Sequence, residues 1–493
     1  MSYADYVSRL SKLADIAYTG AVLNWDMETY MPPKSAERRS QQLATLSGLA
    51  HEQFTSEETG TLLEKLSTDE SLDERQKGNV KHTLKQYRKA KKYTTAFVEE
   101  MSRTISETFN AWQEAKQKND FSIYAPKLEK LIALKKQECE LIGYASHPYD
   151  AMLDEYEPGL KTADVDKLFN DVRTELVPFV KQLLEKKAGS QEIIHRFYSK
   201  DAQIAFSEKI LKEMGYDFDA GRQDISMHPF TTNFSATDVR VTTRVDENNI
   251  SDCLTGSIHE GGHALYEQGI PDDQYGLPSG EYCSLAIHES QSRLWENNVG
   301  RSMEFWNGQF PELKQAFPDA LKDVNVEQFY NALNVVQPSL IRINADEVTY
   351  HFHVMIRFEV EKAIFENRIQ VSEIPAYWNS RYKEYLGIEV TSDAEGCMQD
   401  VHWSHGSFGY FPTYSLGSFY AAQMFNAAEK SIPELRVQIS RKNYSELLKW
   451  LRLNIHQHGK TYSARELCIR STGEELNFRY FMDYVKAKYA QSA

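Results

Sequence analysis

The sequence contains few of the residues that end helices. It has 24 glycines and 15 prolines among 493 residues, whereas average usage would give roughly 59 of the two together in a chain of this length. Most tight turns need one of these residues, so a chain with so few of them is predicted to be mostly α-helical. A hydrophobic content of 41% excludes a disordered protein.

Apolar residues recur at helical spacing. One stretch repeats them every three or four positions, as on one face of an α-helix, at Leu168, Val172, Leu176, Phe179 and Leu183. Its start is predicted to be capped by Thr162 or Asp164.

Three other segments have weaker signals of secondary structure. Residues 73–139 predict two or three long helices, residues 239–245 alternate as a β-strand would, and residues 396–420 predict a loop before another helix. We see neither a repeat nor a linker, so residues 1–493 are expected to form one catalytic domain, with two lobes at most.

Charge and cysteine content limit the partners and the compartment. The net charge of −15 argues against nucleic acid and anionic membranes, because both attract clustered positive charge. The five cysteines are odd in number and form no CxxC pair, which favours free thiols in a reducing compartment. The first residues lack a secretory pattern, and no apolar run reaches the ~18 residues of a membrane span. A cytoplasmic protein is expected.

Residues 253–268, CLTGSIHEGGHALYEQ, contain an H-E-x-x-H pattern. His259 and His263 are four positions apart, so on a helix they share one face and both can reach one metal ion. Glu260 between them is placed to reach a water molecule on that metal. Two adjacent glycines, Gly261 and Gly262, cost about 1 kcal/mol each within a helix and predict that another element approaches closely there.

A third ligand is predicted in the segment AIHESQS. Glu289 lies 26 positions after His263, a gap that allows a turn and a second helix, as in zinc sites with two histidines and a glutamate. His288 beside it is an alternative ligand. Cys253 and Cys283, each six residues before a proposed ligand, are further alternatives, although helix periodicity turns such a position away.

With these motifs, the chain resembles the carboxypeptidase Taq family of metallocarboxypeptidases. Further segments match that family's pattern in order: NWDMETYMPP at 24–33, HPF at 228–230, DVRVT at 238–242, IRINADE at 341–347 and GCMQDVHW at 396–403. These motifs extend over most of the chain.

The resemblance implies a fold and an activity. Family members are almost wholly α-helical, with two lobes around a long groove and a small antiparallel sheet beside the zinc helix, and they are related to neurolysin and angiotensin-converting enzyme. The resemblance also implies a homodimer with one Zn²⁺ per chain, replaceable by Co²⁺. Peptides would lose single amino acids from their C-termini, with broad preference and poor cleavage at proline.

Roles for individual residues follow from the zinc chemistry and the motifs. Zinc would be held by the two histidines and Glu289, and Glu260 would act as general base and then acid. The segment 402–417 offers His402, His405, Tyr410 and Tyr414 to stabilise an oxyanion, and the spacing of His405 and Tyr414 is similar to the pair used in the wider fold.

Substrate binding is expected of residues inside the family motifs. Arginine suits a terminal carboxylate through bidentate pairing. Arg342 is the favoured anchor, and Arg240 would help to close the site together with His228 and Gln399. The alternative for both arginines is a buried ion pair, with Asp346 and Asp238 as neighbours.

Three residues and the function itself have alternative interpretations. Asp346, Asp400 and His402 could orient the metal-binding histidines. The alternative function is a zinc oligopeptidase or dipeptidyl carboxypeptidase of the same fold, and a non-catalytic peptide-binding protein with a vestigial metal helix is a third hypothesis.

Overall fold

The computed structural model describes residues 2–185 and 189–490. About 70% of the chain is helical, which confirms the mostly α-helical class. The first α-helices in chain order are α1 (Tyr3–Thr29), α2 (Ala36–Phe54), α3 (Glu57–Ser67), α4 (Glu74–Ala90), α5 (Thr95–Lys118), α6 (Phe121–Ile142), α7 (Tyr149–Tyr156), α8 (Thr162–Leu184), α9 (Lys200–Met214) and α10 (Ile250–Glu267). The remaining ones are α11 (Leu285–Arg293), α12 (Met303–Ala316), α13 (Pro318–Leu321), α14 (Val326–Leu333), α15 (Tyr350–Phe365), α16 (Ile374–Leu386), α17 (Pro412–Ser431), α18 (Leu435–Ser440), α19 (Ser445–Asn454), α20 (Ala464–Thr472) and α21 (Arg479–Ala490).

The predicted helices are present, with differences in detail. The stretch 73–139 forms α4, α5 and most of α6, as expected. In α8 the buried stripe includes Val172 and Leu176, but Val165, Phe169 and Val180 complete it in place of the other predicted positions. Neither predicted residue caps this helix. It begins at Thr162, whose hydroxyl donates instead to Asp150 Oδ1 at 2.6 Å.

The sheet has three short strands, β1 (Gly221–Ile225), β2 (Thr231–Ser235) and β3 (Asp238–Thr243), in the order β1-β3-β2. β2 and β3 form an antiparallel hairpin, whereas β1 pairs with β3 in parallel. The expectation of an antiparallel sheet was therefore wrong, and the sheet is mixed. The chain reverses direction twice between β1 and β3, so these two strands run the same way.

The segment predicted as a loop before a helix is shorter than expected. Residues 402–405 form a 3-10 turn, and α17 already begins at Pro412. Proline is favoured at the first position of a helix because its missing N–H has no partner to lose there. The sequence prediction missed this helix start because Pro412 lies in a stretch rich in aromatic residues and glycine, which was interpreted as a loop.

The chain forms two compact units. One comprises Met1–Ala90, Ser190–Asn334 and Tyr420–Asn477, and the other comprises Lys91–Gly189, Val335–Phe419 and Phe478–Ala493. In the first unit α10 is the central element, and α9, α11, β2 and β3 pack around it. In the second unit nearly every residue of α15 is buried, as expected of a helix surrounded on all sides.

All five cysteines are buried and free of disulfides, as their spacing predicted. Among the described residues, no helix combines the length and the apolar character needed to cross a membrane.

The two glycines of α10 allow a close approach, as predicted. A Cβ atom on Gly262 would lie 2.6 Å from the carbonyl oxygen of Gln291 and 2.7 Å from the Cα of Ser292. Both are backbone atoms of α11, which cannot rotate away as a side chain can. At Gly261 an added Cβ would overlap the Leu211 side chain of α9. The two helices therefore contact α10 at the residues that lack side chains.

Replacing Gly262 with alanine is expected to lower the free energy of unfolding by about 1–3 kcal/mol, because the methyl group overpacks the contact between the helices. Gly256 in the same helix provides a matched control, since its added Cβ would make only an ordinary 4.0 Å contact with Pro229. Gly256→Ala should be neutral or stabilising. Denaturant unfolding of both variants measures the difference, and equal stabilities would contradict the packing argument.

Candidate metal centre

The two histidines of α10 and a glutamate of α11 converge on one point. The ligand atoms of His259, His263 and Glu289 all lie within 4.8 Å of one another. Oε2 of Glu289 is 3.3 Å from Nε2 of His263 and 3.6 Å from Nε2 of His259. Ligand atoms bonded at 2.0–2.1 Å to a tetrahedral ion lie roughly 3.3 Å apart. These donors therefore fit a divalent metal ion, as the sequence predicted.

The alternative ligands have other partners. Nε2 of His288 lies 2.7 Å from Oε1 of Glu267, and its ring stacks on His263 with the ring centres 4.5 Å apart. The thiol of Cys283 donates a hydrogen bond to the carbonyl of Tyr462, and the thiol of Cys253 accepts one from the Thr243 hydroxyl. The geometry thus favours Glu289 as the third ligand.

A carboxylate on the far side of His259 fixes its orientation. Nδ1 of this ring lies 2.9 Å from Oε2 of Glu296, so Nε2 faces the other two ligands. Such a partner sets the tautomer of a metal-binding histidine. Glu296 lies in a π-helix, Leu294–Gly300, that directly follows α11. By contrast, His263 Nδ1 is buried without a hydrogen-bond partner among the described residues.

An arginine joins the two acidic side chains of this cluster. Arg293 Nε donates to Oε1 of Glu289 at 2.7 Å, and its Nη1 donates to Oε2 of Glu296 at 3.1 Å. Because Oε1 of Glu289 is held by the guanidinium, Oε2 is the oxygen turned towards the histidines. Arg301 adds a second contact to Glu296.

The electrostatics at Glu289 and His263 suit metal binding. Burial alone raises the pKa of a carboxyl, but Arg293 and the histidines outweigh it and hold the pKa of Glu289 well below its ordinary value. Burial lowers the pKa of His263 to about 3, which keeps the imidazole neutral. Ionised carboxylate and neutral imidazole are the protonation states in which these groups bind metal ions.

Glu260 lies between the two histidines on α10 and is buried. Its Oε2 accepts a hydrogen bond from the Thr231 hydroxyl of β2 at 2.7 Å. Burial raises the pKa of Glu260 above its ordinary value. A carboxylate beside a metal centre with a raised pKa is suited to take up and release a proton.

The predicted substrate residues of the first unit lie at the sheet. Arg240 forms a bidentate pair with Asp238, with both contacts at 2.8 Å. Asp238 is the neighbour expected if Arg240 forms an ion pair within the protein. Its guanidinium lies over the Trp25 ring, 4.3 Å from the ring centre. The tryptophan of the N-terminal motif thus supports this arginine. His228 is exposed, and its carbonyl accepts from Ser226.

The second unit brings Arg342 and Gln399 together. The Arg342 backbone N–H donates to Oε1 of Gln399 at 2.9 Å. The guanidinium pairs with Asp400 at 2.9 Å, and Arg357 pairs with the other oxygen of the same carboxylate at 2.6 Å. The acidic neighbour of Arg342 is therefore Asp400 and not Asp346, whose carboxylate accepts from Thr349. Two buried arginines share one carboxylate here, which leaves an excess of positive charge.

The two residues predicted to stabilise an oxyanion, His405 and Tyr414, have different neighbours in the structure. Nε2 of His402 lies 3.2 Å from the Tyr414 hydroxyl, whereas the exposed His405 packs its ring on Phe109. The 3-10 turn at 402–405 places these two histidines differently, and sequence spacing does not reveal such a turn. Burial lowers the pKa of His402 to about 3, so this imidazole is neutral.

Several residues that contact the proposed metal ligands or Glu260 were not predicted from the sequence. Arg293 lies four positions after Glu289, and Glu296 lies three positions after Arg293. Residues at this spacing are neighbours on a helix surface, so the sequence did contain a signal for these contacts. For Thr231 there was no such signal, because its position depends on how the sheet lies against α10.

Comparisons with known proteins identify the family of the chain. The sequence matches the family model described as carboxypeptidase Taq (M32) metallopeptidase over residues 5–489. Carboxypeptidase 1 of Bacillus subtilis (strain 168) is 39% identical over 488 residues, which cover 99% of this chain and 97% of the relative. Thermostable carboxypeptidase 1 of Thermus thermophilus is 38% identical over 503 aligned residues, covering 99% of this chain and 98% of the relative. The crystal structure of the M32 carboxypeptidase from Deinococcus radiodurans R1 has a TM-score of 0.97 at 37% identity and covers 99% of both chains.

Replacing Glu296 with alanine is expected to weaken metal binding about 10- to 100-fold, because His259 loses the acceptor that orients its ring. Competition with a chromophoric chelator measures the dissociation constant. Glu304→Ala is a matched control, since Glu304 pairs with Arg436 on the partly exposed start of α12. An unchanged metal affinity in the Glu296 variant would show that the ring needs no such partner.

Proposed function

Because the chain belongs to the carboxypeptidase Taq (M32) family and is a metallocarboxypeptidase, we propose that it binds zinc and releases single amino acids from the C-termini of peptides. The observation that carries the proposal is the cluster of His259, His263 and Glu289 beside the buried Glu260. We propose broad side-chain preference with poor cleavage at proline, on the strength of the family resemblance alone.

Zinc is the metal proposed for this centre. Two imidazole nitrogens and one carboxylate oxygen match catalytic zinc sites, which keep one position open for water or substrate. When bound, the metal supplies Lewis-acid activation of the scissile carbonyl and of a water molecule. The family resemblance suggests that Co²⁺ can substitute.

Glu260 is proposed as the general base and then the general acid. Thr231 holds Oε2 of its carboxylate, so Oε1 is the oxygen proposed to accept the proton of the attacking water. The same oxygen would then deliver that proton to the leaving amine. Burial raises the pKa of this carboxyl, which makes the carboxylate a stronger base towards the proton of the water.

Recognition of the substrate's terminal carboxylate is proposed for the arginines in the family motifs. Arg342 has Asp400 as its partner, but Arg357 shares that carboxylate, so an added anion would balance the buried positive charge. We propose supporting roles for Arg240, His228 and Gln399.

Tyr414 is proposed to stabilise the oxyanion. His405 is proposed as the second donor to the oxyanion, and His402, which contacts the Tyr414 hydroxyl, is a further candidate. The remaining proposals follow the resemblance and the composition: one catalytic domain, a homodimer and a cytoplasmic location.

A peptide-ladder assay tests the proposed activity. Mass spectrometry of a digested peptide should show products shorter by one residue at a time from the C-terminus. A peptide with the same sequence and a C-terminal amide should be digested much more slowly, because it lacks the carboxylate. A chelator should stop the reaction and added Zn²⁺ or Co²⁺ should restore it. Steps of two residues would instead support the dipeptidyl carboxypeptidase alternative.

Glu260→Gln is expected to lower kcat by roughly 10²- to 10⁴-fold, because the amide cannot accept the proton. Zinc content, measured by inductively coupled plasma mass spectrometry, should stay at one ion per chain. Glu208→Gln, an exposed position on α9, is the control for the substitution itself. Near-normal turnover of Glu260→Gln would exclude the glutamate as the base.

A further inference from the structure

The Thr231 hydroxyl contacts the carboxylate that the proposed mechanism uses as its base. Oγ1 of Thr231 lies 2.7 Å from Oε2 of Glu260 and 2.9 Å from the main-chain carbonyl oxygen of the same residue. We propose that Thr231 is a positioning residue that fixes the orientation of the Glu260 carboxylate during hydrolysis. This inference rests on the proposed function, because it requires Glu260 to act as the base.

The strand that carries Thr231 is registered against the catalytic helix at two points. Residues 231 and 233 of β2 lie on the same face of the strand. Nδ2 of Asn233 donates to Oε2 of Glu267 at 2.9 Å, while Thr231 contacts Glu260. Glu260 and Glu267 are seven residues apart, which is about two turns along one face of α10. Neither contact can shift along the helix without breaking the other, so Thr231 is held beside Glu260.

The second contact continues to the metal centre. Oε1 of Glu267 lies 2.7 Å from Nε2 of His288, and the His288 ring stacks on the metal-binding His263. Strand β2 therefore supports both the base and one ligand from the same face.

Threonine is well suited to this position. Its β-branched side chain is stiff about χ1 and fits a strand. With its proton directed at Oε2, the hydroxyl leaves Oε1 of Glu260 to face the reacting water. A glutamate has three rotatable bonds, so without this contact the carboxylate would sample several rotamers, of which only some are productive.

A merely structural role is the competing explanation, since the hydroxyl also reaches the main chain of α10. The two roles differ in what they predict. If the hydroxyl only stabilises the packing of β2 on α10, its loss would lower the free energy of unfolding and the metal content together with the enzymatic activity. Loss of a positioning contact would lower kcat while KM and metal content stay unchanged.

The experiment compares Thr231→Val, which removes the hydroxyl at nearly constant shape, with Thr231→Ser, which keeps it. Thr231→Val is expected to lower kcat by about 10- to 100-fold, the range typical of a misplaced catalytic group. Its KM and its zinc content should match the unmodified enzyme. Thr231→Ser should recover most of the activity. Thr231→Ala is a second variant without the hydroxyl, which serves if the valine variant is poorly folded.

Thr232→Val is the matched control, because the neighbouring residue makes the same change on the opposite face of β2. Adding Thr231→Val to the Glu260→Gln variant should cost no further activity, since no base remains to be positioned.

Three results would overturn the inference. Thr231→Val could keep kcat within about twofold of the unmodified enzyme while Glu260→Gln is inactive. Thr231→Ser could be as impaired as Thr231→Val, or the loss could follow the loss of zinc. If Glu260→Gln itself kept normal turnover, the proposed function would fail first, and this inference would fail with it.

Discussion

The metal centre depends on the contact between two helix backbones. Where Gly262 lacks a side chain, the main chain of α11 at Gln291 and Ser292 occupies the space that a Cβ atom would fill. Glu289 precedes these residues by less than one turn, so this approach brings its carboxylate to the histidines of α10. A side chain at Gly262 would overlap the main chain of α11, so the helices could not approach as closely as they do. Glycine weakens an isolated helix, but here it sets the spacing on which metal binding depends.

The metal centre contains more acidic side chains than basic ones. Glu260, Glu289 and Glu296 are buried, and Arg293 and Arg301 are the cations that contact the last two. Buried charges are costly unless they are balanced, so the excess negative charge favours a divalent cation at the cluster. The cluster of Arg342, Arg357 and Asp400 carries the opposite net charge. These net charges agree with the roles proposed for the two clusters, which are binding of a metal ion and of the substrate's terminal carboxylate.

Local features of the sequence predicted local features of the structure. His259 and His263 were predicted as ligands because helical spacing alone puts them on one face. The helix content followed from the scarcity of glycine and proline. β1 and β2 were missed, since GRQDI and TTNFS lack alternating apolar residues, and the parallel pairing depends on strand order. Contacts between distant elements, such as Thr231 with Glu260 or Tyr414 with His402, depend on tertiary geometry and had no signal in the sequence.

The proposed metal ligands and their supporting residues all come from residues 231–301 of the first compact unit. Metal binding is therefore linked to the folding equilibrium of this unit, since the ligands converge only when it is folded. By mass action, a free metal concentration 100 times the dissociation constant adds about 2.7 kcal/mol to its free energy of unfolding. The ion thus doubles as a stabilising ligand, and metal supply in the cell would influence how long the folded enzyme persists as well as how fast it works.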